Sequence, residues 1–379
     1  MKSKKKVLLV TQSLSYGATG GGNQSANFAQ MLAQMPSVAL DIAVFGPEQM
    51  LLPQMDSATV LDFRCPCHRW RTLWRSLQVQ PAFVSGRMYR RLKAQIRNGQ
   101  YDLVVADISL FGRLIRYVKK HRLAPTMAYY QNVEYDFSRD QARVGGLKYH
   151  FLHWCVARNE ALCSRYVDYT VLVNDEEEAR LQQLYGRKMD CHLPVFMHRP
   201  QRTVAPSESP DGLRMLFVGS DFYANVHGIK WFVEQVLPHV DARLTVVGRG
   251  LDRVLASYDS PRLHCLGFVP DLAEVYASHQ LVVAPIFVGA GMKVKIAEAL
   301  GYGKAVAATP FALSGYPGGE PEALHACATA QEFIGYIANF PKNKYICDAS
   351  DALFDRLYAF ETVVGQFGAF LERILHDRQ

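Results

Sequence analysis

The 379-residue sequence has no long apolar segment. Its longest apolar runs, such as residues 7–10 and 281–285, have the length of strands. A membrane-spanning helix needs about 18 to 20 apolar residues, so the sequence predicts none. The basic start of the chain leads into an apolar run that is too short for a secretory signal. We therefore expect a cytoplasmic protein.

The sequence also lacks paired cysteines and clustered metal ligands. Its eight cysteines are scattered, which argues against a disulfide framework in a chain of this size. Cys65 and Cys67 precede His68 and invite a metal interpretation, but a structural zinc site needs four ligands and no second ligand pair follows at a suitable spacing. We expect idle or buried thiols and no metal site.

Acidic residues are missing from residues 63–101. This segment holds nine arginine and lysine residues with Trp70, Trp74, Phe83 and Tyr89 among them. It could be a solvated helical face, a surface for an anionic membrane, or a nucleic-acid site. Each cation beside an anionic leaflet gains roughly 1 kcal/mol and tryptophan favours the interface, whereas no nucleic-acid recognition signature is present. We expect a peripheral membrane contact at the inner face and no nucleic-acid partner.

The N-terminal half lacks the glycine fingerprint of a nicotinamide-binding domain. Glycines at 17, 20, 21 and 22 follow a first strand, but their spacing does not give Gly-x-Gly-x-x-Gly, and no acidic residue ends the second strand. Apolar runs still alternate with helical patterns, which predicts a doubly wound parallel sheet. The predicted strands cover residues 5–13, 40–46, 101–109, 125–134 and 168–174, and the helices cover residues 23–34, 84–98, 110–121 and 147–165.

A joint near residues 198–212, rich in proline, serine and polar residues, divides the chain. The length suits two domains, which we place at residues 1–200 and 201–350. The β/α alternation restarts after the joint. Residues 350–376 show apolar residues at helical spacing, so we expect a last helix over residues 351–379.

The most informative segment covers residues 281–310. It predicts a buried strand, a turn with Gly289 and Gly291, a helix from about Met292, and a second strand at residues 305–309. A helix N-terminus offers unpaired N–H groups and partial positive charge, which suit a phosphate. Lys293 and Lys295 add full charges beside it. The alternative is that the glycines serve only a tight turn and the lysines are solvated.

Four blocks in this order carry a family resemblance: residues 213–240, 244–250, 263–285 and 289–309. Residues 211–315 resemble the nucleotide-sugar-binding half of the GT-B glycosyltransferases, in particular the retaining family four (glycosyl transferases group 1). The resemblance implies an α/β fold of two Rossmann-like parallel-sheet domains that face a cleft, with the last helix crossing back to pack on the first domain.

The resemblance also implies a donor site. In it the diphosphate lies on the backbone N–H groups from Gly291 to Val294, and Glu298 binds the ribose. Family four usually carries a second acidic residue eight positions before this glutamate, where this chain has Ala290. The residues implied for the donor are Gly219, Asn225, Gly291, Met292, Lys293, Val294, Lys295 and Glu298.

Residues 131–137 mark the first domain's contribution. Relatives often carry His-Asn-Val-Glu here, and this chain has Gln131 in place of the histidine. Since glutamine cannot exchange protons, only hydrogen bonding is left to this position. We assign catalytic contributions to Gln131, Glu134 and Lys295. The acceptor side is expected to include Gly21, Gly22, Asn23 and Asn132.

These observations predict a glycosyltransferase that moves a sugar from a nucleotide diphosphate sugar to the hydroxyl of a glycan or lipid-linked acceptor. We expect retention at the sugar, a role in surface polysaccharide or glycolipid assembly, and no cofactor or metal beyond the donor itself. Two alternatives stay open. One is a GT-B nucleotide-sugar epimerase, and the other is a catalytically reduced scaffold partner in a polysaccharide assembly complex.

Overall fold

A computed structural model describes residues 4–12, 14, 20–46, 55–64, 86–144, 146–204, 212–258 and 260–376. By their contacts the residues form two compact units. The first comprises Met1–Pro194 together with Val363–Gln379, and the second comprises Val195–Thr362. In the described residues no helix is long and apolar enough to cross a membrane.

The first unit contains a seven-stranded parallel sheet in the order β3-β2-β1-β4-β5-β6-β7. Its central strands are continuous apolar runs because helices cover both faces of a parallel sheet. The strand order reverses between β1 and β4, which creates a crevice at the carboxyl ends of the strands. The elements are β1 (Lys5–Thr11), α1 (Gly20–Gln34), β2 (Val38–Val44), β3 (Ala58–Asp62), α2 (Gly86–Gly99), β4 (Leu103–Ala106), a 3₁₀ turn (Ser109–Phe111), α3 (Gly112–Lys120), β5 (Thr126–Tyr130), α4 (Glu134–Val144), α5 (Gly146–Tyr166), β6 (Tyr169–Leu172), α6 (Asp175–Tyr185) and β7 (Cys191–His192).

The second unit repeats this plan with six parallel strands in the order β10-β9-β8-β11-β12-β13. Here the order reverses between β8 and β11, two strands that pair directly. The elements are β8 (Leu213–Val218), α7 (Tyr223–Gln235), a 3₁₀ turn (Leu237–His239), β9 (Ala242–Val247), α8 (Leu251–Val254), β10 (Leu263–Gly267), α9 (Ala273–Ala277), β11 (Leu281–Ala284), α10 (Val294–Gly301), β12 (Ala305–Ala308), β13 (Leu324–Ala326), α11 (Ala330–Asn339), α12 (Asp348–Leu357) and α13 (Phe360–His376).

Both parallel sheets confirm the predicted α/β class, but several local predictions were wrong. Gly20, Gly21 and Gly22 form the first turn of α1 and not a loop before it. Strand β3 and helices α4 and α6 were not predicted. The expected single helix at the end of the chain is two helices, since the backbone leaves the helical path at Tyr358 and Ala359. Most of α13 belongs to the first unit, where Phe367 packs edge-on against Phe28.

Two arginines cap the C-terminus of α10. Arg202 donates from Nη2 to the carbonyl oxygen of Gly301 at 2.6 Å and from Nη1 to Asp351 Oδ2 at 3.0 Å. Arg199 donates to Asp351 Oδ1 at 3.0 Å. Cations at this end satisfy orphan carbonyls and oppose the negative end of the helix dipole. The pKa of Asp351 is lowered because hydrogen bonds from the two arginines outweigh its partial burial.

We expect Arg202→Ala to lower the stability of the second unit by about 1 to 3 kcal/mol, since it removes charge-assisted bonds to Gly301 and Asp351. The thermal unfolding midpoint should fall by a few degrees. Arg253→Ala is the matched control because Arg253 is exposed and forms no ion pair with a described residue. Equal midpoints for the two variants would show that the cap is dispensable.

Candidate functional site

The loop between β11 and α10 places a helix N-terminus at the carboxyl edge of the second sheet. Gly289 (φ 123°) and Gly291 (φ 65°) adopt positive backbone angles that favour glycine. Lys293 is the N-cap residue and its side chain forms no cap hydrogen bond. No described residue accepts a hydrogen bond from the N–H of Val294 or Lys295. These two donors are therefore open to an anion.

A tyrosine completes the first turn of α10. The hydroxyl of Tyr316 donates to the carbonyl oxygen of Lys293 at 2.9 Å and accepts from the N–H of Ala297 at 3.1 Å. The N–H of Ile296 also bonds to Lys293, at 2.8 Å. The N–H groups of Ile296 and Ala297 are thus satisfied within the unit, which leaves the N–H groups of Val294 and Lys295 for a ligand.

Lys295 is brought together with two other residues predicted for the donor site. Its Nζ donates to Asn225 Oδ1 at 2.7 Å, and Asn225 Nδ2 donates to the carbonyl oxygen of Ser220 at 3.0 Å. A Cβ at Gly219 would lie 3.0 Å from Asn225 Nδ2, which leaves little room for a side chain. Gly219, Asn225 and Lys295 therefore form one cluster at the ends of β8 and β11.

The environment of Lys295 is apolar for an ammonium group. Its Nζ lies 4.2 Å from the centre of the Phe217 ring, and no described carboxylate forms an ion pair with it. Burial, with a contribution from nearby Lys293, lowers the pKa of Lys295 to about 7. Lys293 itself donates to the carbonyl oxygen of Gly291 at 2.6 Å. An anion at the helix start would relieve the cost of charging Lys295.

Glu298 lies one turn further along α10 and is held by a residue that the sequence did not reveal. The hydroxyl of Tyr276, on α9, donates to Glu298 Oε2 at 3.1 Å, and the Tyr276 ring stacks on Tyr302 with centroids 4.0 Å apart. Burial raises the pKa of Glu298, against lowering by Tyr276 and Lys295. Oε1 is not engaged by any described residue and can accept hydrogen bonds.

The first unit carries a separate polar cluster at its switch point. Asp107, directly after β4, accepts from Thr11 Oγ1 at 2.6 Å and from Gln131 Nε2 at 3.2 Å. Gln131 also donates to Ser25 Oγ on α1 at 3.0 Å. Asp107 is fully buried, and burial raises its pKa to about 6. The sequence analysis missed Asp107, although its place after a buried strand was a usable signal.

Substituting Asp107 by asparagine should change how stability depends on pH. The folded pKa of Asp107, about 6, lies above the ordinary value of 3.8. This group therefore favours the fold most below pH 4, and that contribution falls by about 3 kcal/mol as pH rises through 6. Urea denaturation should show wild type losing this amount relative to Asp107→Asn between pH 4 and pH 7. Parallel stability curves for wild type and Asp107→Asn would contradict this prediction. The control Asp56→Asn, at an exposed position, should change the free energy of unfolding by under about 0.5 kcal/mol at either pH.

Glu134 does not join this cluster. It begins α4, and its N–H and that of Tyr135 donate to the buried carboxylate of Glu160 at 2.8 and 3.0 Å. The N–H of Val133 donates to Glu177 at 2.6 Å. Two protein carboxylates thus occupy this helix N-terminus. Burial, together with the charge of Glu160, raises the pKa of Glu134 to about 8, so its side chain is a proton-bearing donor near neutral pH.

The residues predicted for the acceptor side lie on two elements. Gly21, Gly22 and Asn23 are in the first turn of α1, the helix that also supplies Ser25 to the cluster around Asp107. Asn132 lies between β5 and α4, where its side chain interacts with the carboxyl group of Glu134 and opposes the rise in the pKa of that group.

The basic segment is described only in part, because residues 65–85, which include Cys65, Cys67 and His68, lie outside the described residues. Helix α2 buries Tyr89, Leu92 and Ile96 on one face. Lys93 Nζ lies 4.6 Å from the centre of the Tyr89 ring, and Arg64 pairs with Asp62 at 2.8 Å. This part has the pattern of an amphipathic helix with a solvated basic face.

Comparison with known proteins gives a family match for the second unit and a fold match for the chain. Residues 212–343 match the family model described as glycosyl transferases group 1. A comparison with curated proteins finds no match.

Solved structures match over nearly the full length. Sucrose-phosphate synthase from Thermosynechococcus elongatus has a TM-score of 0.76 at 13% identity, with 99% of this chain and 100% of that chain covered. HepE of Anabaena, solved with UDP and glucose, has a TM-score of 0.69 at 13% identity, with 97% and 99% covered. The lipopolysaccharide outer core galactosyltransferase WaaB has a TM-score of 0.68 at 12% identity, with 99% and 100% covered. At such identities the likeness establishes the GT-B fold.

Proposed function

We propose that this chain, a GT-B fold protein whose residues 212–343 match the glycosyl transferases group 1, transfers a sugar from a nucleotide diphosphate sugar to an acceptor hydroxyl. In this reaction the bond between the anomeric carbon and the diphosphate oxygen breaks. A bond from the acceptor oxygen to the same carbon forms, and the hydroxyl proton leaves with the diphosphate or to solvent. Charge develops on the departing diphosphate, so its stabilisation is the main task of the protein.

The arrangement at the start of α10 is the observation that carries the proposal. The N–H groups of Val294 and Lys295 have no acceptor among the described residues, and the Lys295 ammonium, held by Asn225, belongs to the same helix turn. Lys293 and Met292 continue the same loop. Such a set of donors suits a diphosphate. Glu298, one turn further along α10, can accept hydrogen bonds from the hydroxyls of a ribose through Oε1.

Similarity to solved structures supports a nucleotide sugar as the ligand. HepE of Anabaena was solved with UDP and also with UDP-glucose. We extend this ligand class to the present chain, with the donor as a substrate and no additional cofactor or metal. Retention at the anomeric carbon is part of the proposal, and NMR of the first-formed product against the donor anomer tests it.

A calorimetric panel of nucleotide diphosphate sugars, followed by a turnover assay that detects released nucleotide diphosphate, tests the whole proposal. We expect at least one donor to bind and to release its diphosphate in the presence of acceptor. A chain that binds no nucleotide sugar would be the scaffold considered above. Interconversion of the donor without transfer would instead identify an epimerase.

Donor binding should also take up a proton above neutral pH. With its pKa lowered to about 7, Lys295 is largely neutral at pH 8 before binding. A diphosphate beside its Nζ favours the ammonium form, so its pKa rises and up to one proton is absorbed. Calorimetry of nucleoside diphosphate binding in buffers of different ionisation enthalpy measures this number. Equal uptake in wild type and Lys295→Met would assign the proton to another group.

The first unit would then hold the acceptor. Asn132, Gln131 and the proton-bearing Glu134 all lie at the ends of its strands or at the start of α4, and all can hydrogen-bond hydroxyls. A glycan or lipid-linked acceptor is consistent with this polar set. We also propose that the protein acts in the cytoplasm, with the basic segment at residues 63–101 contacting the inner face of the membrane during surface polysaccharide or glycolipid assembly.

A further inference from the structure

The second unit has a basic cavity at the amino-terminal edge of its sheet. The start of α10 lies at the other edge, where the strands end. It encloses about 480 Å³. The starts of β8, β9 and β10 and the end of α9 line it. Its polar lining includes Arg214, Arg243, Arg262, Thr245, His264 and His279. We call it the arginine cavity.

Sheet register brings the three arginines side by side. Arg214 and Arg243 are direct partners in the pairing of β8 with β9. The N–H of Leu244 donates to the carbonyl oxygen of Arg262 at 2.7 Å, so Arg262 enters β10 beside Arg243. Neighbouring strands lie about 4.7 to 4.9 Å apart, and partners in register point to the same face. Three guanidinium groups therefore share one face over three adjacent strands.

This arrangement concentrates positive charge on one face, with Arg243 and Arg262 exposed to solvent and Arg214 partly buried. Like charges at paired positions destabilise a sheet. None of the three arginines forms an ion pair with a described acidic residue, and no acidic side chain is among the described residues that line the cavity. Arg262 Nη1 is anchored on the carbonyl oxygen of Val240 at 2.7 Å. Among the described residues, the three charges are held together with no carboxylate partner.

One lining residue of the cavity, His279, is hydrogen-bonded on both ring nitrogens and is neutral. His279 Nδ1 lies 2.6 Å from the carbonyl oxygen of Val275, and its Nε2 lies 2.7 Å from Thr245 Oγ1. The carbonyl requires a proton on Nδ1, so Nε2 accepts from the threonine hydroxyl. Burial lowers the pKa of His279 to about 4, so this ring carries no charge near neutral pH. The positive charge of the cavity comes from the arginines.

We infer that the arginine cavity is a second anion site that binds a phosphate group, separate from the start of α10. Guanidinium groups match phosphate oxygens in pairs and stay charged at all physiological pH values. The volume admits a phosphate with a small attached group. Leu266 lines the cavity and is 41% exposed, and Phe268 beyond it is 57% exposed. The phosphate could therefore belong to a free metabolite or to a lipid headgroup whose chains meet these side chains.

Phosphate binding to wild type and three single variants tests the inference. Inorganic phosphate is titrated calorimetrically at constant ionic strength into wild type, Arg243→Gln, Arg214→Gln and Arg253→Gln. We expect the first two variants to bind about tenfold more weakly or worse, since each loses a charge-assisted donor. Arg253→Gln, which removes an exposed charge on α8, should bind like wild type. Unfolding midpoints without phosphate confirm that each variant is folded.

Two further experiments distinguish the arginine cavity from the start of α10, and a lipid phosphate from a free phosphate. Because the start of α10 is itself proposed to bind phosphate groups, Lys295→Met is titrated too and should retain the component that depends on Arg243. Flotation with vesicles of phosphatidylglycerol and phosphatidylcholine follows. Loss of flotation in Arg243→Gln identifies a lipid phosphate, whereas unchanged flotation with lost phosphate binding identifies a free anion. Equal phosphate affinity in all variants, or no binding of either probe, would overturn the inference.

Discussion

Lys295→Met should lower kcat/KM for sugar transfer by about 10²- to 10³-fold, the scale seen when one preorganised donor to a developing anion is removed. Lys295 lies in the first turn of α10. Its ammonium group contacts the Asn225 side chain and the apolar ring of Phe217. Methionine keeps most of the side-chain volume and removes the charge. The loss should fall mainly on kcat, since charge on the diphosphate increases as the sugar departs.

The matched control for this substitution is Lys342→Met. Lys342 is exposed in the same unit, and its ion pair with exposed Asp241 at 3.3 Å is worth little. It should keep wild-type rates and donor affinity. Near-wild-type kcat/KM in Lys295→Met would remove Lys295 from the site. Asn225→Ala is informative as well, because Asn225 positions Lys295: partial loss of rate with a changed pH profile is expected.

Gly228→Ala should unfold or strongly destabilise the second unit. A Cβ at Gly228 would lie 1.7 Å from the carbonyl oxygen of Pro285 and 2.8 Å from its carbonyl carbon. Both atoms are backbone, so the contact cannot be relieved by a side-chain rotation, and α7 would have to move away from the end of β11. We expect a loss above about 3 kcal/mol, by the mechanism of overpacking. Thermal and urea unfolding measure it.

Gly335→Ala provides the opposite result within the same unit. Gly335 also lies inside a helix, α11, but no atom would approach its Cβ within 4 Å. Alanine should stabilise this helix by about 0.5 to 1 kcal/mol. If the two glycine variants have similar stability, the close contact of α7 with Pro285 does not constrain the fold.

The course of the chain around α10 was readable because its signals are local. Glycines at positive φ, an apolar strand before them and a helical pattern after them are all set by neighbouring residues. Gly289, Gly291, Lys293 and Lys295 therefore lie in the loop and first turn that the sequence predicted. Family resemblance added the expected roles of Gly219 and Asn225, and the structure places Asn225 against Lys295 and Gly219 against Asn225.

Other features depend on pairs of residues that are far apart in sequence. Tyr276 reaches Glu298 across 22 positions, and Gln131 reaches Ser25 across 106. No periodicity encodes such contacts. Helix α4 was missed although its first turn is acidic; its first N–H groups are capped by Glu160, a residue of the following helix.

By itself the sequence determined the α/β class, the order of most strands and helices, and the chemistry offered by the start of α10, because each follows from local composition and from the spacing of apolar residues and glycines. Only the tertiary structure decided which side chains act together. Sheet register aligned Arg214, Arg243 and Arg262 over one cavity, and burial shifted the pKa values of Lys295, Asp107 and Glu134. Register and desolvation arise from contacts between distant segments, so they exist only once the chain has folded.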